Sequence, residues 1–222
     1  MGIFEGAVVI YLREIYYPSG FDFPLARFDN QIAITELLRE LASLFMLLSV
    51  GIIAGKNLAQ RFAWFIYSFA VWDIIYYVIL FLILKWPESL LTWDILFLLP
   101  VTWTGPVIAP VIISILMIIL SIMIYNFNLK SLNKTFIAKK EWIYLISGAF
   151  VIFISFIWDY CNFLIKNISS TELKNKTLGD KLFDLSIQYI PDKFPWLIFI
   201  IGIGILIYSF YSFYRRNLKL IK

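Results

Sequence analysis

Apolar residues in this chain gather into five runs, over about residues 32–53, 62–84, 106–125, 142–165 and 195–214, each close to the roughly 20 residues a membrane-crossing helix requires. Polar residues are confined largely to the stretches between them. The pattern predicts an all-α polytopic membrane helical bundle, with residues 1–222 forming a single transmembrane domain. Pro106 and Pro195 stand where helices should start, because the amide proton a proline lacks would be unpaired there anyway.

Three stretches fall outside this rule. Within the amino-terminal segment 1–30, residues 1–17 are apolar in patches but broken by Glu5, Arg13 and Glu14, too short and too charged to cross. No cationic start, continuous apolar core and cleavage site mark a secretory signal. The stretch therefore reads as an interfacial amphipathic helix stopping at Pro18-Ser19-Gly20. Residues 86–105 are apolar yet interrupted by Pro87, Glu88, Asp94 and Pro100. They read as a re-entrant or interfacial segment, since irregular backbone at membrane depth must be covered by protein or face water. Residues 167–194 form a polar outer loop with a short amphipathic pattern at Leu178, Leu182, Leu185 and Tyr189.

Composition narrows the chemistry. Hydrophobic residues are 61% of the chain and charged residues 15%, with no histidine and one cysteine, Cys161. No His-ligated haem, no usual zinc site and no His base is available. An iron–sulfur cluster and an internal disulfide are excluded as well, and no cofactor is expected. The net charge of +4 suits anionic lipid headgroups rather than nucleic acid. The expected partner is the lipid bilayer, with a homo-oligomer or a larger membrane complex left open.

Basic residues also give an orientation. Lys56, Arg61, Lys130, Lys134, Lys139, Lys140, Arg215, Arg216, Lys219 and Lys222 share one side with Glu141 as the sole acid, whereas the other side mixes both signs. The positive-inside rule makes the first side cytoplasmic and places the amino terminus outside.

Charges at membrane depth are the sharpest clue. An ionisable group there costs roughly 2.5 to 3.5 kcal/mol on insertion scales and faces a bundle interior by default. Trp72-Asp73, Trp93-Asp94 and Trp158-Asp159 all lie in apolar surroundings. Glu36, Arg39 and Glu40 share one helical face, which Ser43 extends. Ser155, Asp159, Asn162 and Lys166 form a polar stripe on the fourth span, and Tyr76 and Tyr77 follow Asp73 on the second, where Tyr77 is placed to bond Asp73 or its partner. Convergence of these groups, with Asp94 covering them, is the expected arrangement. The candidate ligand-binding or ion-binding residues are Glu36, Arg39, Glu40, Asp73, Tyr77, Asp94, Asp159 and Asn162. The adjacent tryptophans should point elsewhere, because neighbouring residues on a helix diverge by about 100°. The plainer reading is that Arg39 pairs with Glu36, Glu40 or Asp159 to set helix register, and such pairs are weak evidence of activity.

Other patterns are less specific. Residues 68–73 and 155–159 resemble a repeat with one residue of offset. Gly202 and Gly204 favour close helix approach without the usual small-residue spacing. Tyr208, Phe210, Tyr211, Phe213 and Tyr214 before Arg215-Arg216 read as an aromatic belt. Glycosylation-type triplets start at Asn133, Asn167 and Asn175.

Arg13-Glu14, the 18–24 stretch, Trp72-Asp73, Trp86-Pro-Glu-Ser-Leu-Leu-Thr-Trp-Asp94 and the 105–110 stretch resemble an uncharacterised family of bacterial multi-pass inner-membrane proteins. The resemblance covers about the amino-terminal half. It implies a bacterial inner-membrane setting and no activity. Three functions are therefore carried forward: binding or translocation of a small ligand or cation, carboxylate acid–base catalysis on a lipid or isoprenoid, and an accessory subunit of a membrane complex. Binding ranks first, because no Asp-rich phosphate-binding motif accompanies the carboxylates.

Overall fold

A computed structural model describes residues 1–131, 136–168 and 178–221. Its elements, in chain order, are α1 (Gly2–Tyr16), α2 (Asn30–Ala54), α3 (Leu58–Leu84), β1 (Trp93–Phe97), β2 (Trp103–Pro106), α4 (Ile108–Lys130), α5 (Lys139–Asn167), α6 (Leu178–Ser186) and α7 (Trp196–Ile221). The triplets at 133–135 and 175–177, and the last residue of the one at 167–169, lie outside the described residues.

Five helices, α2, α3, α4, α5 and α7, are long and apolar enough to cross a membrane. Between 22% and 33% of the residues in each span's most apolar stretch are buried in protein, and every span also presents apolar side chains outward. Ile34, Leu38, Phe45, Phe81, Ile146, Phe150 and Ile200 are among those exposed. The hydrocarbon of a bilayer satisfies such a surface, because extended apolar surface is not left to water. The protein is an all-α polytopic bundle of the multi-pass membrane class.

The expected helix limits hold within a few residues except at the ends of α4 and α7, which run on to Lys130 and Ile221. Pro106 ends β2 rather than starting a helix, and α4 begins at Ile108. Pro195 does precede α7, and its carbonyl accepts the Phe199 amide at 3.2 Å. Asn57 caps α3 by accepting the Gln60 amide at 2.9 Å, the usual role of an N-cap side chain.

The 86–105 segment contains a β-hairpin. β1 and β2 run antiparallel with Asp94 opposite Gly105 and a register shift between Ile95 and Phe97. Aromatic and β-branched residues suit a strand, but the run was too uniformly apolar for alternation to betray it. Pairing the two strands satisfies backbone that would otherwise be stranded beside the bundle.

Helix pairing follows chain order only in part. α5 packs on α7, α3 on both α2 and α4, and α1 on α3, while β2 lies against α5. At the α5–α7 crossing, a Cβ on Gly202 would come within 2.6 Å of Ile152 and 3.1 Å of the Gly148 carbonyl. Gly202 therefore does serve close approach, its partner glycine lying on the other helix; Gly204 meets open space.

Helix α1 lies along protein rather than flat across the helix ends. Gly2 abuts Ile75 and the Trp72 carbonyl, and Gly6 abuts Ile79. Both contacts advance by four residues, so α1 runs side by side with the second half of α3 in the same direction. The Gly2-x-x-x-Gly6 spacing is what lets two backbones come this close. Its buried face, Gly2, Gly6, Ile10 and Arg13, joins a small core with Tyr77, Leu80, Trp86 and Val107.

Candidate functional site

A cavity of about 140 Å³ lies between α1, α2, α3 and β1. Its charged lining comes from four elements: Glu5 and Arg13 on α1, Glu36, Arg39 and Glu40 on α2, Asp73 on α3 and Asp94 on β1. Five carboxylates thus face two guanidiniums. The remaining wall is mainly aromatic and aliphatic, including Trp72, Tyr76, Tyr77 and Phe97.

Each charge has a distinct attachment. Arg39 donates to Glu36 Oε2 through Nε at 3.0 Å and Nη2 at 2.6 Å, and pairs with Glu5 through Nη1. Glu40 accepts the Leu98 amide at 2.8 Å and the Leu99 amide at 3.1 Å, which ties the hairpin turn to α2. Asp73 accepts the Ser114 hydroxyl from α4 at 2.8 Å. Arg13 Nη2 donates to Asp94 Oδ1 at 3.1 Å, while the guanidinium carbon sits 3.6 Å from the Trp86 ring centre and 4.3 Å from that of Phe21. Arg13 is 6% exposed and Asp94 2%.

That arrangement leaves atoms unmatched. Asp94 Oδ2, Arg13 Nη1 and Trp72 Nε1 are buried without hydrogen-bond partners, and all three residues line the cavity. The Tyr76 and Tyr77 hydroxyls lie near enough to favour the Asp94 carboxylate, yet Oδ2 has no hydrogen-bond partner. A buried polar atom left unpaired costs about 1–3 kcal/mol, and three such atoms belong to residues of this one lining.

Burial pushes the Asp94 carboxyl up from 3.8 to about 6, against the opposing pull of Arg13 and the Ile95 amide. The folded protein therefore binds more protons than the unfolded chain between those values. By linkage, the stability this group contributes is complete below about pH 4 and is lost as pH rises through about 6. The difference in melting temperature between wild type and Asp94→Asn in detergent should change across that window and level off above it. A difference independent of pH would contradict the assignment.

Six of the eight expected residues, Glu36, Arg39, Glu40, Asp73, Tyr77 and Asp94, line this cavity. Asp159 and Asn162 do not. Asp159 accepts the Tyr189 hydroxyl at 2.8 Å and the Asp192 amide at 3.1 Å. Tyr189 is wholly buried and also meets Thr104 at 3.0 Å; burial drives its hydroxyl to titrate well above the usual value. Asp159 thus anchors the chain before α7, because α5 packs on α7 and β2. Asn162 is partly buried on the same helix.

One placement also differs from expectation. Trp72 shares the cavity with Asp73, because the cavity spans enough of α3 to meet adjacent residues, while Tyr77 lies within electrostatic reach of both Asp94 and Asp73. Arg39 does make the expected pair with Glu36, but takes Glu5 as its second partner. Glu5 and Arg13 were not among the candidates. Their signal was present in the Gly2-x-x-x-Gly6 spacing, which implies a protein partner for α1.

Among the described residues no group of three acidic or Cys side chains is arranged to hold a metal ion. The chain matches no known family model, no curated protein and no solved structure. Function therefore rests on the site itself.

Proposed function

We propose that this protein binds a small ligand or cation in the cavity between α1, α2, α3 and β1, as a receptor or carrier of the membrane. One observation carries the reading. Five carboxylates line a single space, and three of its lining residues, Asp94, Arg13 and Trp72, each carry a buried polar atom without a partner. Asp73 and Asp94 are the proposed ligand contacts, Arg39 the residue that balances Glu5 and Glu36, and Glu40 the one that holds the hairpin over the site.

The proposed setting is a bacterial inner membrane, amino terminus outside. It is supported by Lys56, Arg61, Lys130, Lys139, Lys140, Arg215 and Arg216, which lie toward the helix ends opposite the hairpin. The cavity would then open on the outer half.

The test is a thermal-stability screen of purified protein against small cations, amines and neutral polar compounds. A true ligand at a hundred times its Kd should add about 2.7 kcal/mol. Asp73→Asn should fold and lose that gain. Failure of every compound class, or an undiminished gain in the folded variant, would overturn the proposal.

Carboxylate acid–base catalysis on a lipid or isoprenoid is the second reading, favoured by the apolar wall at Leu96, Phe97 and Leu98. Product formation from such a substrate would separate it from binding alone.

A further inference from the structure

From the chemistry of the cavity lining we infer that the ligand is a small primary ammonium compound bearing a neighbouring oxygen acceptor, as in an amino alcohol, with its ammonium on Asp94 Oδ2 and its oxygen facing Trp72 Nε1. The inference rests on the binding reading above and specifies its ligand.

Charge is the first support. Five carboxylates against two guanidiniums favour a cation over an anion, since like charges a few ångströms apart repel strongly where water is scarce. A metal ion does not fit the same data. Among the described residues no three-ligand group is assembled, and about 140 Å³ approaches the ~150 Å³ that accommodates a benzene-sized molecule.

The wall is the second support. Trp72, Tyr76, Tyr77 and Phe97 give the site aromatic surfaces, which attract organic cations through their ring quadrupoles. The protein already uses this chemistry a few atoms away, where Arg13 rests on Trp86 and Phe21 with one nitrogen on Asp94 Oδ1. A ligand ammonium on Oδ2 would complete the same carboxylate.

The unpaired donors are the third. Trp72 Nε1 and Arg13 Nη1 need acceptors, which a bare alkylammonium lacks. A hydroxyl or ester oxygen beside the ammonium supplies one. Both a free amino alcohol and an ethanolamine lipid headgroup present this group.

The experiment follows the indole resonances of ¹⁵N-labelled protein in phosphatidylglycerol nanodiscs, with Trp72→Phe used to assign the Trp72 peak. Ethanolamine should move that peak saturably, choline should act at least tenfold more weakly for want of an N–H donor, and Asp94→Asn should weaken ethanolamine at least tenfold while the other indole peaks report an intact fold. Should Asp94→Asn fail to fold, Asp94→Glu must bind ethanolamine with altered affinity for the inference to stand. A shift on adding phosphatidylethanolamine to the discs, without free amine, assigns the lipid as source; a shift with the free amine alone assigns the soluble compound. Response to magnesium or butyrate but not to ethanolamine would overturn the ligand class and leave the binding reading intact. Silence of Trp72 toward every probe would overturn both.

Discussion

Replacing Arg13 with Ala is expected to cost about 3–5 kcal/mol, the usual penalty for leaving a buried charge without its partner. Asp94, at 2% exposure, would lose its hydrogen-bonded cation and either hold an uncompensated charge or take up a proton to escape it. The stacking of the guanidinium on Trp86 and Phe21 would be lost with it. Because α1 is held to the rest of the protein by this pair, by Glu5–Arg39 and by the Gly2 and Gly6 contacts, its amides should exchange hydrogen faster in the variant. Arg13→Met combined with Asp94→Asn removes both charges and should recover much of the loss, as apolar replacements of buried pairs often do. Denaturant titration in mixed micelles measures both. A single variant within 1 kcal/mol of wild type would show that the pair does not hold α1.

Arg216→Ala is the second large effect, also about 3–5 kcal/mol by the same principle, at the opposite end of the bundle. Glu141, 2% exposed, accepts Arg216 Nε and Nη2, each at 2.8 Å, and also accepts the Ala138 amide at 2.8 Å. Arg216 Nη2 further reaches the Phe136 carbonyl. The network fastens the start of α5 to the end of α7. Arg216 itself is about a quarter exposed, with 26% of its side chain accessible, so the lower part of the range is expected. Arg216→Lys should restore only part, since an ammonium cannot reproduce the two-pronged fork. The two loci share no partner, and their costs should add. Strong non-additivity in the double variant would mean that the helix ends are coupled through the bundle.

Much of this architecture was legible without coordinates. The spans were visible because a helix satisfies its own backbone, so crossing hydrocarbon is a local property of about 20 apolar residues. Glu36, Arg39 and Glu40 were visible as one face because spacing along a helix fixes their alignment. Glu141 was seen only as a lone acid among basic residues. Its pairing with Arg216, 75 positions away, had no local trace.

What stayed hidden concerns rotation and partnership. A helix read alone does not reveal which way its polar stripe turns. Asp73 and Asp159 have similar local surroundings, yet one lines the cavity and the other serves Tyr189. Residues 86–105 disclosed their prolines but not the hairpin, because strand pairing joins residues whose mutual fit is not encoded in either alone.

The amino-acid sequence by itself determined that five helices are long and apolar enough to cross a membrane, that acidic groups sit among them and that no histidine is present to ligate a haem. Only the tertiary structure decided that Glu5 and Arg13 join those acids, that Asp159 leaves them and that three polar atoms remain unmatched around one cavity. The physical reason is that hydrophobic length is a sum over neighbours in sequence, whereas the pairing of a buried charge depends on the one side chain that packing brings within about 3 Å.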